Sequence, residues 1–411
     1  MNVAIVNLGC KVNRVESDSI AAAYQARGAH LGDVASADII VVNTCTVTGE
    51  AEKKTRKTIR RVLRDNSRAS VLVTGCAAVI DPDFFSALDE RVRVVEKSDL
   101  LDQESHGEIS TSYPVRVGES FPTRVAVKVQ DGCNHSCSYC IVHVARGRAW
   151  SRPYREIIEE VCLLAKHGVK EVVLAGIDLG SYVCSEGDER VRLGLLVRML
   201  LDELDARGCE RVRLRISSIE PRSIDRSFVD VLAQAQGRVC RHLHLPLQSG
   251  SDRVLKEMNR PYTSSDFLDL VNMLKERVGD ISLTTDVIVG FPGETEEDFE
   301  NTCRVVSEVG FTKVHVFRYS KREGTPAAER VDQVPPEVKE ERAHRLLELS
   351  DELRLRYLAR NADREETIVV EKTGWGMSES YYKVRVKSTL EAGSVCRASL
   401  TDADPFGMVS L

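Results

Sequence analysis

The chain has 411 residues, enough for two or three domains that each bury a core. Its 42% hydrophobic and 29% charged residues are typical of globular proteins, and no apolar run reaches the roughly 18 residues that a membrane helix needs. The net charge of −6 excludes a uniformly basic nucleic-acid binder, so any RNA-binding surface has to be local.

Residues 1–118 predict an α/β domain with a doubly wound parallel sheet. Apolar runs of strand length alternate with helical patterns, as in parallel sheets with crossover helices. The first run begins at Met1 without a basic segment before it, which indicates a strand rather than a signal peptide and favours a cytoplasmic protein with no membrane partner. The predicted strands are Val3–Leu8, Ile39–Asn43 and Ser70–Thr74, and the predicted helices are Ser17–Arg27 and Ala51–Arg64.

The segment Leu101–Phe121 is polar with scattered Gly and Pro, and it is interpreted as a linker. Residues 119–355 then show a regular alternation of strand and helix patterns. Six such units predict a partial TIM-like (βα)6 barrel, open on one side, with its chemistry at the carboxyl ends of the strands. The predicted strands are Val125–Val129, Glu171–Ala175, Arg211–Ile216, His242–Leu247, Ile281–Val289 and Lys313–Tyr319. The predicted helices are Arg155–Lys166, Gly194–Ala206, Phe228–Ala235, Ser265–Val278 and Thr295–Val309.

Residues 356–411 change character again. Short strand-like runs alternate with turns that contain Gly, a pattern typical of a small β-barrel module. The predicted strands are Glu366–Glu371, Tyr381–Val386 and Ser394–Leu400.

The strongest chemical signal is the loop Asp131–Cys140, which follows the first barrel strand and carries Cys133, Cys137 and Cys140. Soft thiolates favour zinc, copper(I) or iron–sulfur clusters. Structural zinc commonly takes two separated Cys pairs, whereas three Cys on a four-iron cluster leave one iron free for an exogenous ligand. The loop therefore predicts a cluster that activates a substrate. The alternative is a zinc site completed by His135, His143 or a distant Cys.

A second set of cysteines follows the three N-terminal strands. Cys10, Cys45 and Cys76 each come directly after one predicted strand. Because the carboxyl ends of parallel strands meet at one edge of a sheet, these thiols are expected to converge. Taken singly, each could be a small buried hydrophobic residue, but three in equivalent positions predict a second cluster with an open iron.

The remaining cysteines match no ligand spacing and are predicted to be packing residues. They are Cys162, Cys184, Cys209, Cys240, Cys303 and Cys396.

The CxxxCxxC loop after the first strand of a partial barrel resembles the radical S-adenosylmethionine superfamily. Together with the N-terminal thiols, it is similar over the whole chain to the methylthiotransferase family, whose members add an RNA-binding TRAM module at the C-terminus. Further motifs support the resemblance; they are Ala145–Arg148, Leu174–Tyr182, His244–Ser251 and Asp286–Thr295.

This resemblance implies two [4Fe-4S] clusters and S-adenosylmethionine as cofactors. Cys133, Cys137 and Cys140 would hold the cluster that cleaves S-adenosylmethionine to a 5′-deoxyadenosyl radical. Cys10, Cys45 and Cys76 would hold the auxiliary cluster with the sulfur that is inserted. A low-potential electron donor such as a flavodoxin or a ferredoxin is implied as a partner.

Several residues at or just after predicted strand ends suit hydrogen bonds to the amino, ribose and carboxylate groups of that cofactor, and a Gly-Phe-Pro-Gly turn could approach its adenine. The alternative is that some of them only cap helices or close turns. The candidates are Asp178, Glu220, Gln248, Ser249, Gly290, Phe291 and Arg318.

RNA contact is predicted for two basic segments. One is the helix after Cys45, with a dense basic face whose alternative role is a solvated surface; the other is a strand of the tail that combines aromatic and basic groups. The helix candidates are Lys53, Lys54, Arg56, Lys57, Arg60 and Arg61, and the tail candidates are Tyr381, Lys383 and Arg385.

The motifs Leu8–Asn13 and Asn43–Thr48 look most like the bacterial branch that modifies N6-threonylcarbamoyladenosine at position 37 of tRNA. Two other branches remain as alternatives, one acting on isopentenyladenosine in tRNA and one on an aspartate of a small-subunit ribosomal protein. An RNA-binding iron–sulfur protein without catalysis is the alternative from another class.

Overall fold

The computed structural model describes residues 1–46, 48–101, 123–187, 189–235, 237–362 and 364–399, and the backbone of 402–403 and 408–410. These residues form two compact units. The first contains 1–101, 132–149 and 320–328, and the second contains 123–131, 150–319 and the described residues from 329 onwards. The predicted domain boundary at 118 and the predicted linker, apart from Leu101, lie outside the described residues.

The first unit contains a five-stranded, fully parallel sheet in the order β2-β1-β3-β4-β5, as the alternating pattern predicts. Its elements are β1 Asn2–Asn7, α1 Lys11–Ala26, β2 His30–Leu31, β3 Ile39–Thr44, α2 Gly49–Asp65, β4 Ser70–Gly75, α3 Cys76–Ile80, α4 Pro82–Ser86, β5 Val92–Val94, α5 Lys97–Leu100 and α6 Val142–Arg146. Helix α1 begins six residues before the predicted Ser17. Its first turns bury polar Asn13 and Glu16 beside the single apolar Val12, which weakens the helical periodicity there.

The second unit contains six parallel strands in two three-stranded sheets, β12-β9-β6 and β13-β14-β15, with a bridging pair between Ser218 and His244. All six predicted strands and all five predicted helices of this region are present. The elements are β6 Arg124–Lys128, β7 Gln130–Asp131, β8 Trp150–Ser151, α7 Tyr154–Lys166, β9 Glu171–Ala175, β10 Val183–Glu186, β11 Glu189–Arg192, α8 Leu193–Ala206, β12 Arg213–Ile216, α9 Arg226–Gln234, β13 His242–His244, α10 Asp252–Glu257, α11 Ser264–Val278, β14 Ser282–Val289, α12 Glu296–Val309, β15 Lys313–Arg318 and α13 Pro326–Glu329, with 3-10 turns at Leu179–Ser181 and Pro221–Ser223.

A long helix, α14 Pro336–Arg360, connects these strands to the C-terminal sheet. The predicted boundary at 355 falls inside this helix, which continues unbroken to Arg360. The mainly antiparallel sheet that follows has the order β19-β16-β17-β18-β21-β20. Its strands are β16 Glu365–Lys372, β17 Trp375–Ser378, β18 Lys383–Arg385, β19 Val395–Ser399, β20 Asp402–Ala403 and β21 Met408–Ser410.

The cysteines outside the two predicted sets lie in or against the hydrophobic cores or between buried strands. Cys162 and Cys184 belong to the large core of the second unit, with Cys209 and Cys303 packed against it. Cys240 is buried, and Cys396 packs against the core of the C-terminal sheet. Among the described residues, no helix combines the length and apolar character that crossing a membrane requires.

Candidate active site with two cysteine sets

The three N-terminal cysteines follow the carboxyl ends of three adjacent parallel strands. Cys10 is the N-cap of α1, Cys45 directly follows β3, and Cys76 is the first residue of α3. Gly9 has φ +129°, and a Cβ there would stand 2.8 Å from Cys45 Cβ and 3.1 Å from Cys45 Sγ, so only glycine lets the Cys10 loop approach Cys45 this closely. The three thiols therefore share one sheet edge, as predicted, and their role as ligands stays a prediction.

A network of buried polar side chains holds these loops together. Asn13 Nδ2 donates to the carbonyl of Thr44 at 2.8 Å, and Asn43 Nδ2 donates to the carbonyl of Asn13 at 3.0 Å. Thr44 Oγ1 donates to the carbonyl of Thr74 at 2.7 Å. Gly75 has φ +92°, and a Cβ there would stand 2.5 Å from Asn43 Oδ1 and from the carbonyl of Thr44. Only glycine fits this position directly before Cys76.

The surroundings of Cys76 combine burial with positive charge. Burial raises the pKa of the Cys76 thiol, while the nearby Arg146 and Lys97 cations act to lower it, and the Cys10 thiol adds a further increase. Arg146 Nε donates to Cys76 Sγ at 3.2 Å. A buried sulfur with a charged donor suits a metal-bound thiolate, whose negative charge needs compensation.

The loop with Cys133, Cys137 and Cys140 belongs to the same unit as the N-terminal sheet. Backbone N–H groups point at two of its sulfurs, since His135 donates to Cys133 Sγ and Val142 donates to Cys140 Sγ, both at 3.4 Å. The N–H of Cys140 also donates to the carbonyl of Cys137 at 3.1 Å, which closes a turn between these ligand candidates. Donors of this kind stabilise cluster thiolates.

Three of the predicted cofactor residues follow strand ends in the second unit. The N–H of Asp178 donates to Gln130 Oε1 at 2.8 Å, and Glu220 forms a buried ion pair with Arg260. Gln248 has a left-handed backbone at φ +65°. Contact between these residues and a cofactor stays a prediction.

Ser249 and Phe291 are two further cofactor candidates, and both pack against neighbouring side chains. Both are fully buried at 0% exposure. Ser249 Oγ lies 3.3 Å from Thr302 Oγ1 on α12, and the Phe291 ring packs edge-on against Tyr319 at 5.7 Å. Contact of these two residues with a cofactor stays a prediction.

Gly290 and Arg318 remain candidates. Gly290 has φ +71°, and its N–H donates to Glu294 Oε2 at 2.6 Å. The Arg318 side chain is 49% exposed, with Glu340 at 4.0 Å.

A polar cluster on the second three-stranded sheet was not predicted from the sequence. His244, Asp286 and His315 come from three adjacent strands, and their ligand atoms lie within 4.8 Å of one another. His244 Nε2 lies 3.3 Å from Asp286 Oδ2. The sequence pattern predicts the three strands but not their register, so it could not show that these three side chains lie next to one another.

Helix α2 presents its basic residues to solvent, as predicted. Its N-cap Thr48 accepts a hydrogen bond from Ala51 N at 3.1 Å, and Thr55, Thr58, Ile59 and Val62 face the core. Arg56 is engaged, because it pairs with Glu52 at 2.5 Å and its guanidinium lies 4.0 Å from the Phe84 ring centre. The exposed cations are Lys53, Lys54, Lys57, Arg60, Arg61 and Arg64.

Tyr381, predicted to stack on RNA bases, is half-buried, and its contact with RNA stays a prediction. Its ring stacks on His242 with centroids 4.5 Å apart, and the Arg215 guanidinium lies 5.0 Å from the ring centre. Lys383 and Arg385 are exposed as predicted. They lie 4.4 and 5.5 Å from the ring centre of Trp375, an aromatic residue that the sequence pattern did not single out.

Two family models match the chain. The radical SAM superfamily covers residues 127–306, and the uncharacterized protein family UPF0004 covers residues 2–96. The fold is similar to that of the radical S-adenosylmethionine methyltransferase TsrM from Kitasatospora setae, with a TM-score of 0.55 and 17% identity over 80% of this chain and 77% of that chain.

Curated relatives match over most of their length. The threonylcarbamoyladenosine tRNA methylthiotransferase MtaB of Bacillus subtilis is 38% identical over 94% of this chain and 90% of its own. The MtaB protein of Thermotoga maritima is 35% identical over 97% and 98%. The tRNA-2-methylthio-N(6)-dimethylallyladenosine synthase of Caldicellulosiruptor saccharolyticus is 38% identical over 86% and 78%.

Proposed function

The chain belongs to the family of radical S-adenosylmethionine tRNA methylthiotransferases, and from this premise we propose that it adds a methylthio group to C2 of N6-threonylcarbamoyladenosine at position 37 of tRNA. The observation that carries the proposal is the similarity to three threonylcarbamoyladenosine tRNA methylthiotransferases, which extends over 90–97% of this chain.

The family implies S-adenosylmethionine and a [4Fe-4S] cluster, which we assign to Cys133, Cys137 and Cys140. A second cluster at Cys10, Cys45 and Cys76 is part of the proposal. Both sets fit such a group because each offers three soft thiols and no fourth ligand is needed at an open iron. The close approach of the Cys10 and Cys45 loops at Gly9 supports the second assignment.

When bound, the first cluster supplies the electron that cleaves S-adenosylmethionine, and the second supplies the sulfur that is transferred. The residues of the chain hold these groups and position the cofactor. Asp178, Glu220, Gln248, Gly290 and Arg318, at or just past strand ends, are proposed to contact the cofactor.

The finer architecture and the partners are also part of the proposal. The six parallel strands would form the partial barrel of the superfamily, and the C-terminal sheet would act as a TRAM-like RNA-binding module. A flavodoxin or a ferredoxin would supply electrons, and the reaction would take place in the cytoplasm.

The test is an anaerobic assay with reconstituted protein, dithionite and S-adenosylmethionine. We expect about eight iron and eight sulfide per chain, and a methylthio mass only on tRNA that carries N6-threonylcarbamoyladenosine. Transfer to isopentenyladenosine instead, as the relative from Caldicellulosiruptor saccharolyticus would suggest, would overturn the substrate assignment. A methylthio mass only on a ribosomal-protein peptide would do the same. Absence of 5′-deoxyadenosine would overturn the enzymatic function.

Helix α2 is proposed to contact the phosphates of tRNA. Lys57→Glu/Arg60→Glu protein is expected to bind tRNA more weakly, because phosphate contacts provide most of the sequence-independent affinity. The slope of log affinity against log salt is expected to become shallower by about 0.7–0.9 for each phosphate that the helix no longer neutralises. Fluorescence anisotropy with labelled tRNA at several salt concentrations measures both quantities.

The matched control is Lys166→Glu/Arg190→Glu, which makes the same change of charge at two exposed residues outside this helix. We expect the control to leave the salt slope close to that of the wild type. Equal weakening in both proteins would mean that only the net charge matters and would contradict a specific role of α2.

A further inference from the structure

We propose that two buried arginines, Arg146 and Arg322, are positioning residues that fix the two cysteine loops relative to each other. The inference rests on the proposed function, because it concerns the spacing between the two assigned clusters. All residues involved belong to the first compact unit. Neither arginine is needed as a ligand, since each cysteine set is complete without it.

The first link is Arg146, the last residue of α6, which follows Cys140. Its side chain is 3% exposed. Nε donates to Cys76 Sγ at 3.2 Å, and Nη2 donates to Asn13 Oδ1 at 2.5 Å. The same Asn13 oxygen accepts from Cys10 Sγ at 3.4 Å. The Arg146 guanidinium, on the helix that follows the Cys133–Cys140 loop, thus reaches two of the three N-terminal thiols. It contacts Cys76 directly and Cys10 through the side chain of Asn13.

A carboxylate anchors this guanidinium. Glu16 Oε1 accepts from Arg146 Nη1 at 2.8 Å, and its second oxygen accepts from Lys97 Nζ at 2.7 Å. The cations of Arg146 and Lys97 therefore both pair with the buried Glu16 carboxylate, so these three side chains carry a net charge of +1 beside the thiols. A planar guanidinium that donates in three directions is held in a single orientation, which an ammonium group could not reproduce.

The second link is the segment 320–328. Arg322 Nη2 donates to the carbonyl and the hydroxyl of Thr46, and Nη1 donates to Glu52 Oε2 at 3.0 Å. Thr46 directly follows Cys45. At the other end of the segment, the N–H of Ala327 donates to the carbonyl of Ser138 at 2.9 Å, and Ser138 directly follows Cys137. The segment thus connects the Cys45 loop to the turn between Cys137 and Cys140.

The two links are independent. The first ends on Cys76 and Asn13, and at its other end the carbonyl of Gly147, directly after Arg146, accepts from the N–H of Cys133 at 3.1 Å. The second ends on Thr46 and Ser138, the neighbours of Cys45 and Cys137, so each link joins one cysteine set to the other. Displacement of reacting groups by about 1 Å can lower a rate by on the order of 10²-fold. Correct spacing between the clusters would therefore affect sulfur transfer much more than cofactor cleavage, which needs one cluster alone.

The experiment compares Arg322→Lys and Arg146→Lys with wild-type holoenzyme and with Arg14→Lys as the matched control. Arg14 is a 60% exposed arginine on the neighbouring helix α1. Three quantities are measured: iron and sulfide content, the magnetic coupling between the two reduced clusters by pulsed EPR, and methylthio product per 5′-deoxyadenosine. We expect both clusters and 5′-deoxyadenosine formation to remain. The magnetic coupling should change, and the product ratio should fall by on the order of 10²-fold.

The outcomes separate this inference from the proposed function. Wild-type protein with a single cluster would overturn both. The inference alone would be overturned if the wild-type protein holds two clusters and the variants keep the wild-type magnetic coupling and the wild-type product ratio per loaded enzyme. If Arg322→Lys loses its clusters, Thr46→Val is the milder variant, because it removes one acceptor and keeps the arginine. An unchanged coupling and product ratio in loaded Thr46→Val would then also overturn the Arg322 link.

Discussion

Cys76→Ala protein is expected to form 5′-deoxyadenosine from S-adenosylmethionine and to transfer no methylthio group, whereas Cys137→Ala is expected to do neither. The reason is the division of roles between the cysteine sets. Cys76 is 3% exposed and accepts a hydrogen bond from Arg146, so its loss removes a ligand of the proposed auxiliary cluster and leaves the other set complete. Chromatography of 5′-deoxyadenosine and mass spectrometry of tRNA nucleosides measure the two activities separately.

The control is Cys162→Ala, which removes a fully buried thiol from the hydrophobic core of the second unit. We expect this variant to keep both activities, because Cys162 is a packing residue. Iron analysis should give about four iron per chain for Cys76→Ala and about eight for the control. Methylthio transfer by Cys76→Ala at the wild-type rate would contradict the assignment of the auxiliary cluster.

The positions of Cys10, Cys45 and Cys76 after the strands can be predicted because they depend on local pattern. Apolar runs of strand length are recognisable in Ile39–Asn43 and Ser70–Thr74, and the parallel order follows from the helices between them. Once the sheet is parallel, residues that directly follow its strands must lie at one edge. The prediction places Cys45 and Cys76 correctly at this edge for that reason.

The contacts that surround the cysteines could not be predicted. Arg146 meets Glu16 across 130 positions in the chain, and Arg322 meets Thr46 across 276. No local periodicity encodes such pairs, because they depend on where a long connection returns. The neighbours of Tyr381 could not be predicted for a related reason. Its ring is half-buried, as the strand pattern indicates, but the residues that pack against it, His242 and Arg215, lie far away in the sequence.

Glu171→Gln is expected to lower the free energy of unfolding by about 3–5 kcal/mol, as when one partner of a buried ion pair is removed. Glu171 is fully buried on β9 and accepts from Arg215 Nε at 2.5 Å and from Arg213 Nε at 2.7 Å. The neutral amide keeps the shape of the side chain but leaves both guanidiniums without their counter-charge. Urea unfolding followed by tryptophan fluorescence measures the loss.

The control is Glu159→Gln, which breaks a surface pair with Arg207 at a carboxylate that is 61% exposed. A loss of about 0–1 kcal/mol is expected there, because water screens the pair. Equal losses in the two variants would contradict a special role for burial at Glu171.

The loss at Glu171 is expected to depend on pH. Burial alone would raise the pKa of this carboxyl, but the guanidiniums of Arg215, Arg213 and Arg124 hold it well below the ordinary value of 4.5. Between the folded and unfolded pKa values the unfolded state binds more protons, so stability rises with pH in this window. The difference between wild type and Glu171→Gln should therefore be complete above about pH 5 and shrink in more acidic solution. A difference that grows on acidification would contradict the assigned charge state.

The same arginines explain why this carboxylate matters for the C-terminal sheet. Arg213 Nη1 donates to the carbonyl of Thr367 at 2.7 Å, and Arg215 Nη2 donates to the carbonyl of Ser378 at 2.9 Å. Glu171 thus orients two cations that bind the backbone of β16 and β17. In Glu171→Leu/Arg215→Met protein one of the two guanidiniums that lose their counter-charge is removed. We expect only partial recovery of stability, because Arg213 still lacks the Glu171 carboxylate and the carbonyl of Ser378 loses its donor. Full recovery would mean that the ion pair contributes nothing to holding that sheet.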